Sequence, residues 1–464
     1  MASALEFYAN SFDAEGFYGL RLIISWISVA VFIWLLSLSY LVWKADSKST
    51  ENRFMGVLLI IEGIKAGFLA PDIFPYDSQW EWLWDYLWVF KIEVFFYAHT
   101  AAILLYLCLP IYYRIDKLNF MFNPTLQKHA WYLAPLIGLA IWMSIRDVNG
   151  FYMANSAWLI CSEAGVEPTL QVWWGSIQPF MTDAVEQIGT CSGYYETHLV
   201  DDSTAGGLWA IALASPLITL GALFFIRSSM KSEKAAGREG ESSHLTSRSL
   251  YIGFLGKVSG TMLYFITLMV IIPLLNDGSM ATFAQSTLWR YGEDASSLDR
   301  IKYLIWTLSL LMTPLAMGFE ALMFVHAALN DSVFGIDQNL RKTFRTAMFT
   351  GIGALLFITA TELMEQVLGQ GLLGGVAIGI AFLGLRGPVL SVIDGMSGRL
   401  IPSSYSIEEN AYLSAYDTAM EDRIITAEER RLLKTLAKTY DLTDERVEQL
   451  EHEYDSMLEV LEEE

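Results

Sequence analysis

The chain has 464 residues, 53% of them apolar and 14% aromatic, with a mean hydropathy of +0.37 and a net charge of −21. That is too apolar for an ordinary water-soluble protein of this length, and the acidity excludes nucleic acid as an expected partner. The expected solvent is a lipid bilayer.

Runs of about 20 apolar residues cross a hydrocarbon core of about 30 Å. Such runs occur at 20 to 43, 54 to 70, 86 to 113 and 130 to 146, and again at 207 to 227, 250 to 275, 301 to 328, 346 to 368 and 371 to 387. The sequence therefore predicts an all-α polytopic membrane protein with nine transmembrane helices. The first run is too long and too late for a cleaved signal peptide, and Trp26, Trp34 and Trp43 suit a spanning helix. The expected domains are an outer N-terminus (1–19), a membrane domain (20–402) with an outer loop at 150–206, and a small acidic cytoplasmic helical domain (403–464).

Loop charge sets the expected orientation. The loops 44 to 53, 114 to 128, 227 to 248 and 337 to 345 carry 14 Lys and Arg, whereas the N-terminus, 71 to 85 and 150 to 206 carry none, and 276 to 300 only Arg290 and Arg300. By the positive-inside rule the N-terminus lies outside and the C-terminus in the cytoplasm. Cys161 and Cys191 then share an outer, oxidising compartment and are expected to form a disulfide, while Cys108 lies within a span.

Several charged residues interrupt the spans. A charge at the bilayer centre costs about 2.5 to 3.5 kcal/mol even on lenient insertion scales. At a rise of 1.5 Å per residue, Glu62, Lys257 and Glu320 lie at about 12 to 13 Å from the cytoplasmic ends. Lys65 and His99 lie at about 18 to 20 Å, and Lys91 and Glu93 at about 28 to 32 Å, where Lys91 can snorkel to the outer surface. Glu62 and Lys65 also share one helix face at i, i+3. Two readings follow: a structural ion-pair network that fixes helix packing, or a polar cavity for a ligand, ion or proton.

Other chemistries lack their residues. Of the six histidines only His99 is deep in a span, so there is no haem-ligating pair, and Lys257 lacks the helix position of a retinal-binding lysine. No HExxH, GxSxG or P-loop motif occurs, and no enzyme activity, metal or cofactor is expected. Gly371, Gly375 and Gly379 recur at i, i+4, i+8, a small-residue face that packs on the preceding helix or on a second copy in a homodimer.

After Pro402 the composition turns soluble, and residues 406 to 464 contribute −12 of the net charge. Thr426 and Glu429 form a capping box, and Leu432, Leu433, Leu436 and Ala437 an apolar stripe. Val447, Leu450, Tyr454, Met457 and Leu461 form a second, heptad-like stripe. The stretch Thr418 to Glu429 has the outline of an EF-hand loop, but Thr418, Met420 and Arg423 replace two carboxylates and the turn glycine, so calcium is not an expected ligand.

Two stretches resemble known families. The segment from Ala415 to Glu451 is similar to the helical hairpins of TerB-like, tellurite-resistance-type domains. Asp331 to Leu356, with Phe334, Ile336, Asp337, Arg341 and Lys342, resembles the membrane region of multi-pass sensor histidine kinases. So does Leu385 to Pro402, with Arg386, Pro388, Asp394 and Arg399. That resemblance implies a membrane sensor scaffold, here without the kinase.

The resulting expectation is a non-catalytic, sensor-like protein of the plasma membrane of a bacterium or archaeon, reporting to a cytoplasmic protein through residues 406 to 464. The rivals are a transporter or proton pathway that uses Glu62, Lys65, Lys257 and Glu320, and a structural membrane subunit.

Overall fold

In hydrocarbon a chain satisfies its backbone N–H and C=O groups within one segment only as a helix, and the described residues of the apolar runs are helical. The computed structural model describes residues 18–74, 81–145, 154–161, 164–174, 189–191, 197–204, 206–235, 242–275, 297–329, 336–368, 371–400, 407–420 and 425–462, with Tyr8, Thr182, Val185 and Glu186 as single positions.

Helix α1 (Tyr18–Ala45) turns at 46–49 into α2 (Thr50–Ala66), whose N-cap Ser49 accepts a hydrogen bond from the Asn52 amide and which continues as a 3-10 segment, Gly67–Ile73. Helix α3 (Glu81–Val89) passes through a π-helical turn, Phe90–Val94, into α4 (Phe95–Tyr112), and α5 (Pro124–Ile145) leads to the outer loop. Beyond it run α6 (Gly206–Ala235), α7 (Ser242–Ile266) with a π-helical turn and the short α8 (Ile272–Leu275), α9 (Ser297–Leu310), α10 (Met312–Leu329), α11 (Ile336–Leu368), α12 (Gly371–Gly384) and α13 (Arg386–Leu400).

The expected count of nine spans is corrected to six, or up to seven, among the described residues. Among the described residues six helices are long and apolar enough to cross: Gly19–Ala45, Thr50–Ile73, Phe95–Tyr112, Leu245–Ile266, Leu304–Leu329 and Arg345–Met364. Helices α12 and α13, bent by 65° at their junction, make a seventh if they count as one broken span. Helix α5 has spanning length but carries Gln127, Lys128 and His129 in its first turns, while the side chains of residues 206–213 of α6 lie outside the described residues.

The core of the membrane region joins α1, α2, α4, α7 and α10 through buried Leu35, Phe54, Leu58, Ala101, Leu105, Phe254, Met323 and Phe324. Helices α7 and α10 approach closely because α7 presents Gly253 and Gly260: a Cβ on Gly260 would stand 2.6 Å from the Ala316 Cβ, and one on Gly253 3.0 Å from Phe324 Cε1. Helices α11 and α12 use the same device. A Cβ on Gly374 would stand 2.6 Å from the Ala360 carbonyl oxygen, one on Gly375 3.1 Å and one on Gly379 3.3 Å from the Phe357 ring, while the side-chain environment of Gly371 lies outside the described residues. The Arg345 Nε to Asp394 Oδ1 contact of 3.5 Å ties α11 to α13, with both side chains about half exposed.

Between α5 and α6 the chain adds to its helices a small antiparallel sheet of β1 (Ala154–Ile160), β2 (Thr169–Trp174) and β3 (Thr197–Thr204) in the order β2-β1-β3. Cys161, just past β1, is bonded to Cys191 with Cα atoms 5.6 Å apart. Cys191 exchanges backbone hydrogen bonds of 2.7 Å with the turn at Gly165 and Val166, where Gly165 takes φ +81°. The sequence-expected disulfide therefore joins the end of β1 to the chain leading towards β3.

The cytoplasmic helical part is substantial, not small. Helices α14 (Ile407–Ala419), α15 (Ala427–Thr439) and α16 (Asp444–Glu462) enclose a core of Tyr412, Leu413, Tyr416, Leu433, Ala437, Leu450 and Tyr454. Both halves of the Thr426–Glu429 capping box are formed. Val447 packs against this core, Leu432 is 69% exposed, and the side chains of Met457 and Leu461, like residues 421–424 of the EF-hand-like stretch, lie outside the described residues. Tyr412 donates to Glu451 at 2.5 Å, Tyr416 to Asp455 at 3.2 Å and Tyr454 to Asp417.

Two outcomes are expected. Gly260→Ala forces α7 and α10 apart and lowers thermal stability in detergent by about 1 to 3 kcal/mol, whereas Gly221→Ala, which meets nothing within 4 Å, causes no loss. In the cytoplasmic domain, burial first and then the carboxylates raise all three phenols, that of Tyr416 to about 12. A raised phenol stabilises the fold fully below its ordinary value of about 10, and the contribution is lost as pH rises through the folded value. Helicity of 403–464 by circular dichroism should hold to about pH 10 and fall by about pH 12. An unchanged profile in the triple Tyr→Phe variant would show the phenols irrelevant.

Candidate functional site

Three helices bring charged residues to one point inside the bundle. The i, i+3 spacing on α2 places Glu62 and Lys65 on one face; Lys257 comes from the middle of α7 and Glu320 from the middle of α10. The glycines of α7 that admit α10 flank Lys257, so its ammonium reaches Glu320 across a narrow gap. All four side chains are at most 3% exposed.

Lys257 Nζ lies 2.8 Å from Glu62 Oε2 and 2.8 Å from Glu320 Oε2. Lys65 Nζ donates to both oxygens of Glu62, at 2.9 and 3.1 Å. Two carboxylates and two ammonium groups form a charge-neutral tetrad, which offsets the cost of withdrawing each from water.

The tetrad has a fifth member that the sequence reading missed. Tyr106 on α4 places its hydroxyl 2.6 Å from Glu62 Oε1 and 3.1 Å from each oxygen of Glu320, and it also accepts from Lys257. The Lys257 ammonium lies 4.2 Å from the centre of the Tyr106 ring. A phenol has one proton to donate, so it serves one carboxylate at a time. The available signal was depth: Tyr106 lies about 10 Å from the C-terminal end of its helix, at the level expected for Glu62, Lys257 and Glu320.

The remaining expected residues lie apart from this centre. His99 is on α4, about 10 Å further out than Tyr106, with Nδ1 3.0 Å from the Phe95 carbonyl oxygen and its ring edge-on to Phe95. Glu93 accepts from Trp142 Nε1 at 2.9 Å and so joins the turn before α4 to α5. Lys91 meets Asp72 at 2.6 Å, and Asp72 also meets Arg21 at 3.2 Å, an ionic group in which Lys91 is paired instead of merely reaching for the surface. Towards the start of α7 from the tetrad the fully buried Ser249 and His326 join α7 to α10, with Ser249 Oγ 2.7 Å from His326 Nδ1. Among the described residues no group of three or more His, Cys, Asp or Glu side chains is placed to hold a metal ion.

No family model, no curated protein and no solved structure matches the chain. The resemblances to sensor histidine kinases and TerB-like domains are therefore supported only at the coarser level of a polytopic helical membrane region followed by a cytoplasmic helical domain.

The tetrad makes a coupled set of expectations. Glu320→Gln or Lys257→Met alone leaves an imbalance of buried charge and should cost about 3 to 5 kcal/mol, whereas the double variant retains the neutral Glu62–Lys65 pair and should recover most of the loss. Tyr106→Phe removes a hydrogen bond to charged groups and should cost about 1.5 to 3 kcal/mol. Thermal unfolding in detergent tests both, and additive losses in the double variant would show that Lys257 and Glu320 are not coupled.

Proposed function

We propose that the chain is a membrane ion-translocating protein that moves protons through the buried Glu62–Lys65–Tyr106–Lys257–Glu320 centre. The observation that carries this reading is the Tyr106 hydroxyl, within hydrogen-bond reach of carboxylates on two other helices and beside an ammonium. A proton on Glu320 passes to the phenol oxygen as the phenol proton passes to Glu62, which exchanges the protonated carboxyl between α10 and α2 while Tyr106 stays neutral. Lys257, in contact with both carboxylates, stabilises whichever remains charged. Polar groups extend on both sides: Ser249 and His326 towards the cytoplasm, His99 and then the Asp72 group towards the outside. Ionisable groups buried in spans are expensive and are functional candidates by default.

The second reading is a sensor that reports through the cytoplasmic domain. It is supported by a three-helix unit with its own core at the end of the chain and by the kinase-sensor resemblance around Asp337 and Asp394. In it, residues 406 to 464 bind a cytoplasmic protein, and a homodimer in the plasma membrane is the natural assembly.

Reconstitution into vesicles loaded with a pH-sensitive dye separates the two. An imposed potential should drive proton flux through the unmodified protein, and Tyr106→Phe should reduce it at least tenfold while leaving the protein folded. Unmodified protein that leaks no faster than empty vesicles would reject the pathway and favour the sensor.

A further inference from the structure

The tetrad and the Ser249–His326 pair are polar groups on the same two helices, and the chain between them is apolar. Along α7, Ser249 and Lys257 are eight residues apart, about 12 Å. Along α10, Glu320 and His326 are six apart, about 9 Å. A hydrogen bond covers about 3 Å between heavy atoms, so a proton moving between the two groups needs intermediate carriers. These helices supply few: residues 321 to 325 have no polar side chain, and residues 250 to 256 have only that of Tyr251, which is partly buried.

Two rings occupy the interval. Phe254 precedes Lys257 by three residues and Phe324 follows Glu320 by four, so each shares a helix face with the neighbouring charge, one turn nearer to Ser249 and His326. The rings meet edge to face with centres 5.0 Å apart, and Phe254 meets the Tyr106 ring at 5.6 Å. Both phenylalanines are fully buried. Glycine fixes their seat: a Cβ on Gly253 would stand 3.0 and 3.1 Å from two atoms of the Phe324 ring, which therefore rests on bare α7 backbone. A phenyl ring has no proton to pass on, and an apolar constriction excludes the water that would carry one.

We propose that Phe254 and Phe324 are the barrier of the proton pathway, closing the tetrad off from Ser249 and His326 so that protons cross only when the rings part. The inference rests on the proton-pathway reading and adds regulation to it. Tyr106 exchanges the proton between the two carboxylates, and the ring pair sets how often that proton reaches the Ser249–His326 side.

The test is proton flux under an imposed potential in vesicles loaded with a pH-sensitive dye, each variant first shown to unfold cooperatively in detergent. Phe254→Ala, which opens the constriction to water, should raise flux about tenfold or more over the unmodified protein. Phe254→Leu, which refills most of the space with apolar atoms, should raise it less. If Phe254→Ala does not fold, Phe324→Leu is the smaller excision in the same pair and should raise flux about threefold. Adding Tyr106→Phe to the faster variant should abolish the gain, because the extra protons still pass the tetrad. Flux in Phe254→Ala or its substitute that equals or falls below a Tyr106-sensitive unmodified flux would overturn the barrier and leave the pathway standing. A gain that survives Tyr106→Phe would be a leak through a loosened bundle and would overturn it too. Unmodified protein no faster than empty vesicles would remove the pathway itself, and the barrier with it.

Discussion

An ammonium in hydrocarbon needs a carboxylate, and the membrane region is organised around meeting that need at Lys257. Its Nζ is 2.8 Å from carboxylate oxygens on α2 and on α10. Three helices are thereby held in one rotational setting, because turning any of them strands a charge in a medium of low dielectric. Lys65 closes the balance, and Tyr106 brings α4 into the same arrangement.

The packing around the tetrad follows from that constraint. Gly253 and Gly260 remove side chains where α10 must come close, and Phe254, between them on α7, packs edge-on against Phe324 and Tyr106. The apolar contacts seal the tetrad from lipid and water, and the polar contacts select which apolar surfaces meet. Neither alone specifies the bundle, since lipid tails are as apolar as the helix faces and supply no hydrophobic drive between them.

The regions outside the bilayer are held together differently. Between α5 and α6 a disulfide joins the end of β1 to the chain before β3, beside a three-stranded sheet. In the cytoplasmic domain water is present, and α14, α15 and α16 bury an ordinary core whose tyrosines are anchored to surface carboxylates.

The sequence by itself determined much of this. Apolar runs give helices because hydrocarbon leaves the backbone no other partner, and loop charge gives an expected orientation. Cys161 and Cys191 were legible as a pair because they share one outer loop, and Thr426 with Glu429 as a helix start because capping is local. Equal depth on separate helices also identified Glu62, Lys257 and Glu320 as candidates to meet. The number of spans was less legible, because α5 mixes apolar turns with a polar, charged start, and so was the sheet between α5 and α6, whose strands pair across distant segments. Only the tertiary structure decided that Tyr106 joins the tetrad and that Glu93 and His99 do not. Depth along a helix can be counted from residue numbers, but the direction a side chain faces depends on how each helix is rotated against its neighbours, and that rotation is set by contacts between residues as far apart as Tyr106 and Glu320.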